Sequence, residues 1–178
     1  MNKLVALVVL AALVPLGALA QTASPYSGQE QRPIKALSAD EVKAYLAGEG
    51  MGLAKAGELN HYPGPKHILE MADHLGITAA QRTRIEAAEQ TMSAAAIPLG
   101  RAIVDAEADL DARFAAGTID ERTVRTSTAH IAELEGRLRA AHLVAHLQTR
   151  AALDADQITM YDTMRGYDAN GEPAKHMH

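Results

Sequence analysis

An all-α fold follows from two apolar seams of helical period, a near absence of aromatic and alternating β-branched residues, and a glycine punctuating the chain between the seams. Met92, Ala96, Leu99, Ile103, Ala106 and Leu110 are spaced 4-3-4-3-4, the spacing of a coiled-coil contact line. Val124, Ser127, Ile131, Leu134, Leu138, Ala141 and Ala145 follow at 3-4-3-4-3-4, with Ser127 as the one polar member. Gly117 lies between them. The expected architecture is a long antiparallel helical hairpin with short N- and C-terminal helices docked at its base. With one Phe and no Trp, the core must be built from Ala, Leu, Ile, Val and Met, which suits close helix packing better than a sheet sandwich.

Residues 1–20 read as a secretory signal: Lys3, an apolar run from Leu4 to Leu16, and the cleavage pattern Ala18-Leu19-Ala20. Residues 21–37, rich in Ser, Gln, Gly and Pro, read as a disordered leader. The helical domain is expected over 38–167. Ser38 with Glu41 makes a capping box for a short helix to about Ala47. Gly48-Glu49-Gly50-Met51-Gly52 then breaks the chain, without the preceding strand or the glycine spacing of a phosphate-binding loop. Leu53 to Leu59 is expected to add a helical turn or two. Pro65 sets up a helix over Lys66 to His74, which Gly76 ends. Thr78 opens the first arm, about 58 Å long at ~1.5 Å per residue, with a kink expected at Pro98. Thr118 with Glu121 is the expected cap of the second arm, which runs to about Ala152. Asp154 to about Met164 forms the last helix, Gly166 ends it, and 168–178 is expected to be a flexible tail.

Composition narrows the function classes. The formal charge of −5 argues against a general nucleic-acid binder. The lack of Cys excludes disulfides, thiolate metal sites and cysteine nucleophiles. No G-x-S-x-G is present, and no Glu stands in H-E-x-x-H position beside His142 and His146, so no enzyme is expected. Asp168-Ala169-Asn170-Gly171 lacks most of a calcium loop. Asp105, Glu107, Asp109 and Asp111 read as a solvated helix face. A lone hairpin has too little interior for stability without staples. The second arm is also apolar nearly all round at Leu143, Val144 and Leu147. Homodimerisation is therefore expected as well as docking of the terminal helices.

Ile77-Thr78-Ala79-Ala80-Gln81 and Leu153-Asp154-Ala155-Asp156-Gln157 bracket the hairpin. They resemble the L-T-x-x-Q motifs of a family of small exported helical proteins that includes CpxP, Spy, ZraP and CnrX. The likeness extends over roughly Ser38 to Tyr167, with Ile77 in place of Leu and Asp154 in place of Thr, and Thr78, Gln81, Asp154 and Gln157 as the motif residues. It implies a cradle-like periplasmic dimer. CpxP-like and Spy-like members bind misfolded clients without ATP or restrain a sensor kinase, whereas ZraP-like and CnrX-like members bind metal ions. A client would meet Arg122, Arg125, Arg137 and Arg139, which with Arg150 make the second arm locally basic.

The chain carries eight His. His142 and His146, at i and i+4, share one side of a helix and could share Zn²⁺, Ni²⁺, Co²⁺ or Cu²⁺ as neutral imidazoles. The likeness to CnrX, whose site joins a short early helix to a later one, makes His67, His74 and Glu70 the candidates to complete it. His61 and Glu58 are further candidates, ranked after those three. The plainer alternative is that His142 and His146 flank the seam, each packing its ring there and showing one nitrogen to water or a carboxylate. The function expected is therefore an ATP-independent periplasmic chaperone or adaptor needing no cofactor, with a periplasmic heavy-metal sensor as the alternative.

Overall fold

The structure is a computed structural model that describes residues 24–167. The expected signal segment and the residues after Tyr167, including His176-Met177-His178, lie outside it. Residues 24–30 form a short run of turns, in which the Gln29 side chain donates to the Pro25 carbonyl at 3.2 Å. From Gln31 onward the chain belongs to one all-helical unit. Its helices are α1 (Ala39–Ala47), α2 (Lys55–Glu58), α3 (Pro65–Glu70), α4 (Ala72–Leu75), α5 (Ala79–Ala115), α6 (Glu121–Arg150) and α7 (Ala155–Arg165).

The hairpin is α5 against α6, and the two expected seams meet. Ala96, Ile103, Leu134 and Leu138 are buried together, with Leu99, Ala102, Ala106, Tyr45 and Leu53 packed around them. A second cluster fills the base: Ile68, Leu75, Ile85, Ala152 and Tyr161, flanked by Leu69, Met71, Ile77, Leu153 and Tyr167. The seam of α6 departs from expectation at one point. His142 is buried and Ala141 only half-buried, so the inner line runs Leu138, His142, Ala145, Thr149. An imidazole therefore sits in a core position.

Several boundaries differ from the sequence expectation for local reasons. The helix expected over 66–74 breaks at Met71 (φ −101°, ψ 11°) into α3 and α4. His67 and His74 thus do not share one continuous helix face. The cap of α6 is Asp120, not Thr118: its carboxylate accepts from the Thr123 N–H at 2.7 Å, which holds it below the usual carboxylate range. An ionised cap is the stronger acceptor and suits the positive end of the helix. The segment expected to be a leader is tied down in part, because Lys35 bonds both oxygens of Asp111, its Nζ at 3.1 Å. As expected, α5 runs on through Pro98, whose ring lies at the exposed surface.

α1 lies across α5 just where Pro98 occurs. A Cβ on Gly100 would fall 1.9 Å from the Tyr45 carbonyl oxygen. Glycine there lets the end of α1 touch the backbone of α5. Gly48, in the left-handed conformation (φ +66°), caps α1 against Ala96 and Ile97. Gly100→Ala should therefore destabilise the protein by about 1–3 kcal/mol, although alanine favours a helix. Urea unfolding of the two chains would show this as a lower midpoint with an unchanged slope.

Candidate functional site

The two bracketing motifs are brought together. Thr78 and Asp154 each close a capping box, with Gln81 and Gln157 at the third helical position. The two glutamines then bond each other. Gln81 Nε2 donates to Gln157 Oε1 at 2.8 Å and Gln157 Nε2 to Gln81 Oε1 at 3.2 Å. Gln157 also donates to the Leu75 carbonyl at 3.3 Å. Each side-chain oxygen accepts from its own cap N–H as well. One amide pair thus joins the start of α5, the end of α4 and the start of α7. Arg84 reinforces it by donating to the Ala151 carbonyl at 3.2 Å.

Beside this clasp lies a polar hub around Glu58. Its carboxylate accepts from the Tyr161 hydroxyl, from the Tyr167 hydroxyl at 3.3 Å and from the Gly64 N–H at 3.3 Å. Arg165 Nε stands 3.7 Å from one oxygen and His146 Nδ1 3.7 Å from the other. Burial, then the bond to Glu58, pushes the Tyr161 phenol far above its ordinary range, so it stays a neutral donor. Next to the hub, His61 Nδ1 donates to Asp162 at 2.6 Å, and Arg150 donates to the His61 carbonyl and covers the Tyr62 ring. Asp162 Oδ1 is buried with no partner among the described residues. The hub ties α2 and α7 to α6. Sequence reasoning offered Glu58 and His61 only as secondary metal candidates, not as parts of a polar hub, and missed Tyr161 and Asp162. The one available signal was the crowding of Tyr161 and Tyr167 at one end of a chain with five Tyr and one Phe.

The metal candidates separate into two groups. His142 is 3% exposed, its Nε2 has no hydrogen-bond partner among the described residues, and its ring lies against Gly50. His146 donates from Nδ1 to the Tyr62 carbonyl at 2.7 Å, and its Nε2 packs on Gly64, where a Cβ would sit 2.9 Å away. His67 instead pairs with Glu70 at 3.1 Å, and His74 is exposed. No three His, Asp or Glu side chains converge to hold a metal ion among the described residues. Of the client candidates, Arg122, Arg137 and Arg139 are exposed and form no ion pair among the described residues, whereas Arg125 is held by Glu121 at 2.6 Å. The expected convergence around Leu143 is half met. Leu143 packs against Gly57 of α2, while Val144 and Leu147 stay 46% and 54% exposed.

Burial, followed by the charge of His146, holds the His142 imidazole below its ordinary value of 6.5. The unfolded chain then takes up a proton that the folded chain resists. The stability from this residue is whole above about pH 6.5 and is lost as the pH falls below it, by at most about 1.4 kcal/mol per unit. Urea midpoints at about pH 7.5 and 5.5 should diverge, and His142→Leu should bring them closer. Separately, Gln81→Ala and Gln157→Ala should each lose about 1–2 kcal/mol. A double-mutant cycle should return a coupling of at least about 0.5 kcal/mol, whereas additive losses would mean that the two amides act independently. Comparison of the chain with protein-family models, with curated proteins and with solved structures returns no match.

Proposed function

We propose that this chain is an exported, ATP-independent binding protein of the CpxP/Spy/ZraP type. It acts in the periplasm as a homodimer, holding misfolded polypeptide or the periplasmic domain of a sensor kinase, and it uses no catalytic residue. The observation that carries this reading is the exposure of Leu46 on α1, Met51 in the turn after it, Leu59 at the end of α2, Ile97 on α5, and Met160 and Met164 on α7. Exposed Leu and Met side chains adapt to many partners, and unpaired Arg charges steer encounter without fixing sequence. The clasp between Gln81 and Gln157 supports the family likeness, since it gives both motifs one shared task. The protein should suppress aggregation of a reduced client, followed by light scattering. Indifference at several-fold excess over the client would overturn the reading.

Metal binding is the second reading, favoured by the unpartnered Nε2 of His142 one helical turn from His146. Calorimetric titration with Zn²⁺, Ni²⁺, Co²⁺ and Cu²⁺ at neutral pH should then give heat that a His142→Ala/His146→Ala chain lacks. No heat from any of the four ions sinks this reading.

A further inference from the structure

Gly136 occupies the middle of α6, where glycine costs roughly 1 kcal/mol relative to alanine. Among the described residues nothing requires it, because a Cβ there would meet no atom within 4 Å. Gly100, the mid-helix glycine of α5, differs in being forced by the Tyr45 carbonyl. The residues around Gly136 read Glu133-Leu134-Glu135-Gly136-Arg137-Leu138-Arg139, a palindrome in which the charge changes sign at the centre. Leu134 and Leu138 are buried in the hairpin, and the four charged residues and the glycine are exposed.

Glu four residues before Arg ordinarily makes an ion pair along its own helix. Elsewhere this chain does so: Glu121 holds Arg125 at 2.6 Å and Asp109 holds Arg113 at 2.7 Å. Among the described residues, neither Glu133 with Arg137 nor Glu135 with Arg139 comes within the 4.0 Å of an ion pair. Glu135 lies beside the Tyr45 phenol, whose pKa burial raises first and that carboxylate raises next.

We propose that a second copy of this chain docks on the outer face of α6, antiparallel, with the two-fold axis passing Gly136. At ~100° per residue, Glu133 and Arg137 fall on one flank of Gly136 and Glu135 and Arg139 on the other. A two-fold perpendicular to both helices keeps each flank on its side and reverses the direction along the axis. Glu133 then faces Arg137 of the second copy, and Glu135 faces its Arg139. Each pair occurs twice, as a self-complementary contact demands. Gly136, with Ala132 and Ala140 one turn to either side, lets the backbones approach where the helices cross. Towards the base, Val144 and Leu147 come to lie over the second copy's Arg125-to-Ala129 stretch, which covers apolar surface left open in the single chain. This contact rests on the dimer of the preceding section and names its face. It draws Arg137 and Arg139 into the subunit contact and leaves Arg122 and the exposed Leu and Met side chains for a client. It requires neither a client nor a metal, so the scattering and titration experiments can fail without touching it.

Sedimentation of the chain should show a dimer. Glu133→Arg with Glu135→Arg sets like charges against each other, as does Arg137→Glu with Arg139→Glu. Each pair of changes should weaken association at least about tenfold while circular dichroism keeps its helical signal. Mixing the two variants should restore a one-to-one dimer. Because the chain has no Cys, Gly136→Cys should also give a disulfide-linked dimer under mild oxidation, whereas Phe114→Cys, near the hairpin tip, should not. A monomeric parent chain, a dimer indifferent to both charge reversals, a mixture that stays monomeric, or linkage through position 114 in preference to 136 would each overturn the proposal.

Discussion

A pair of antiparallel helices can bury only the stripe where they touch, and the rest of this structure answers that constraint. Ala96, Ile103, Leu134 and Leu138 make the stripe at mid-hairpin. Their small and branched side chains allow close approach, and no aromatic ring of α5 or α6 enters it. A stripe of this kind holds two helices in register but does not enclose a core. Enclosure is left to four short helices, α1 to α4, and to α7, none of which could persist alone at its length. α1 crosses α5 at mid-helix, whereas α3, α4 and α7 gather at one end, where Tyr161 supplies the largest buried side chain of the second cluster.

At that end, polar contacts carry as much of the organisation as apolar ones. The hydroxyls of Tyr161 and Tyr167 converge on Glu58 while His61 meets Asp162. The amides of Gln81 and Gln157 close on each other. Bonds of this sort contribute modestly when made and are costly to leave unmade, so they specify how the short helices sit more than they add to stability. Partners for buried polar groups are nearly complete here. Among the described residues the exceptions, His142 Nε2, Asp162 Oδ1 and Arg165 Nε, lie on α6 and α7, the helices joined at this end.

The hairpin was legible in the sequence because period and punctuation are local. The seams, the Gly117 turn, the Ser38, Thr78 and Asp154 capping boxes and the glycine ends of α1, α4 and α7 all depend on residues within a turn or two of each other. The base was not legible, since Tyr161 meets Glu58 across 103 residues and Gln81 meets Gln157 across 76, and no helical pattern encodes such pairings. His142 shows the limit most clearly. The spacing placed it beside the seam, yet the actual phase of α6 turns it inward, a difference of one residue in a helix of 30. The expected cap at Thr118 failed for a related reason: Asp120, two residues on, offers an ionised acceptor, and the helix starts where the stronger cap stands.

Burial is uneven along the hairpin, and that has a mechanical consequence. The last buried residue of α5 is Val104 and the first of α6 is Ile131. Towards Gly117 the arms therefore face each other through half-covered side chains such as Leu110 and Val124, and the Lys35–Asp111 bond ties the segment before α1 to α5, not one arm to the other. Local opening is cheapest where few apolar contacts and many exposed backbone bonds coincide. The helical unit from Gln31 onward thus resembles a tuning fork gripped at its base: a stiff handle of interlocked short helices, and prongs that can splay at the far end without disturbing it.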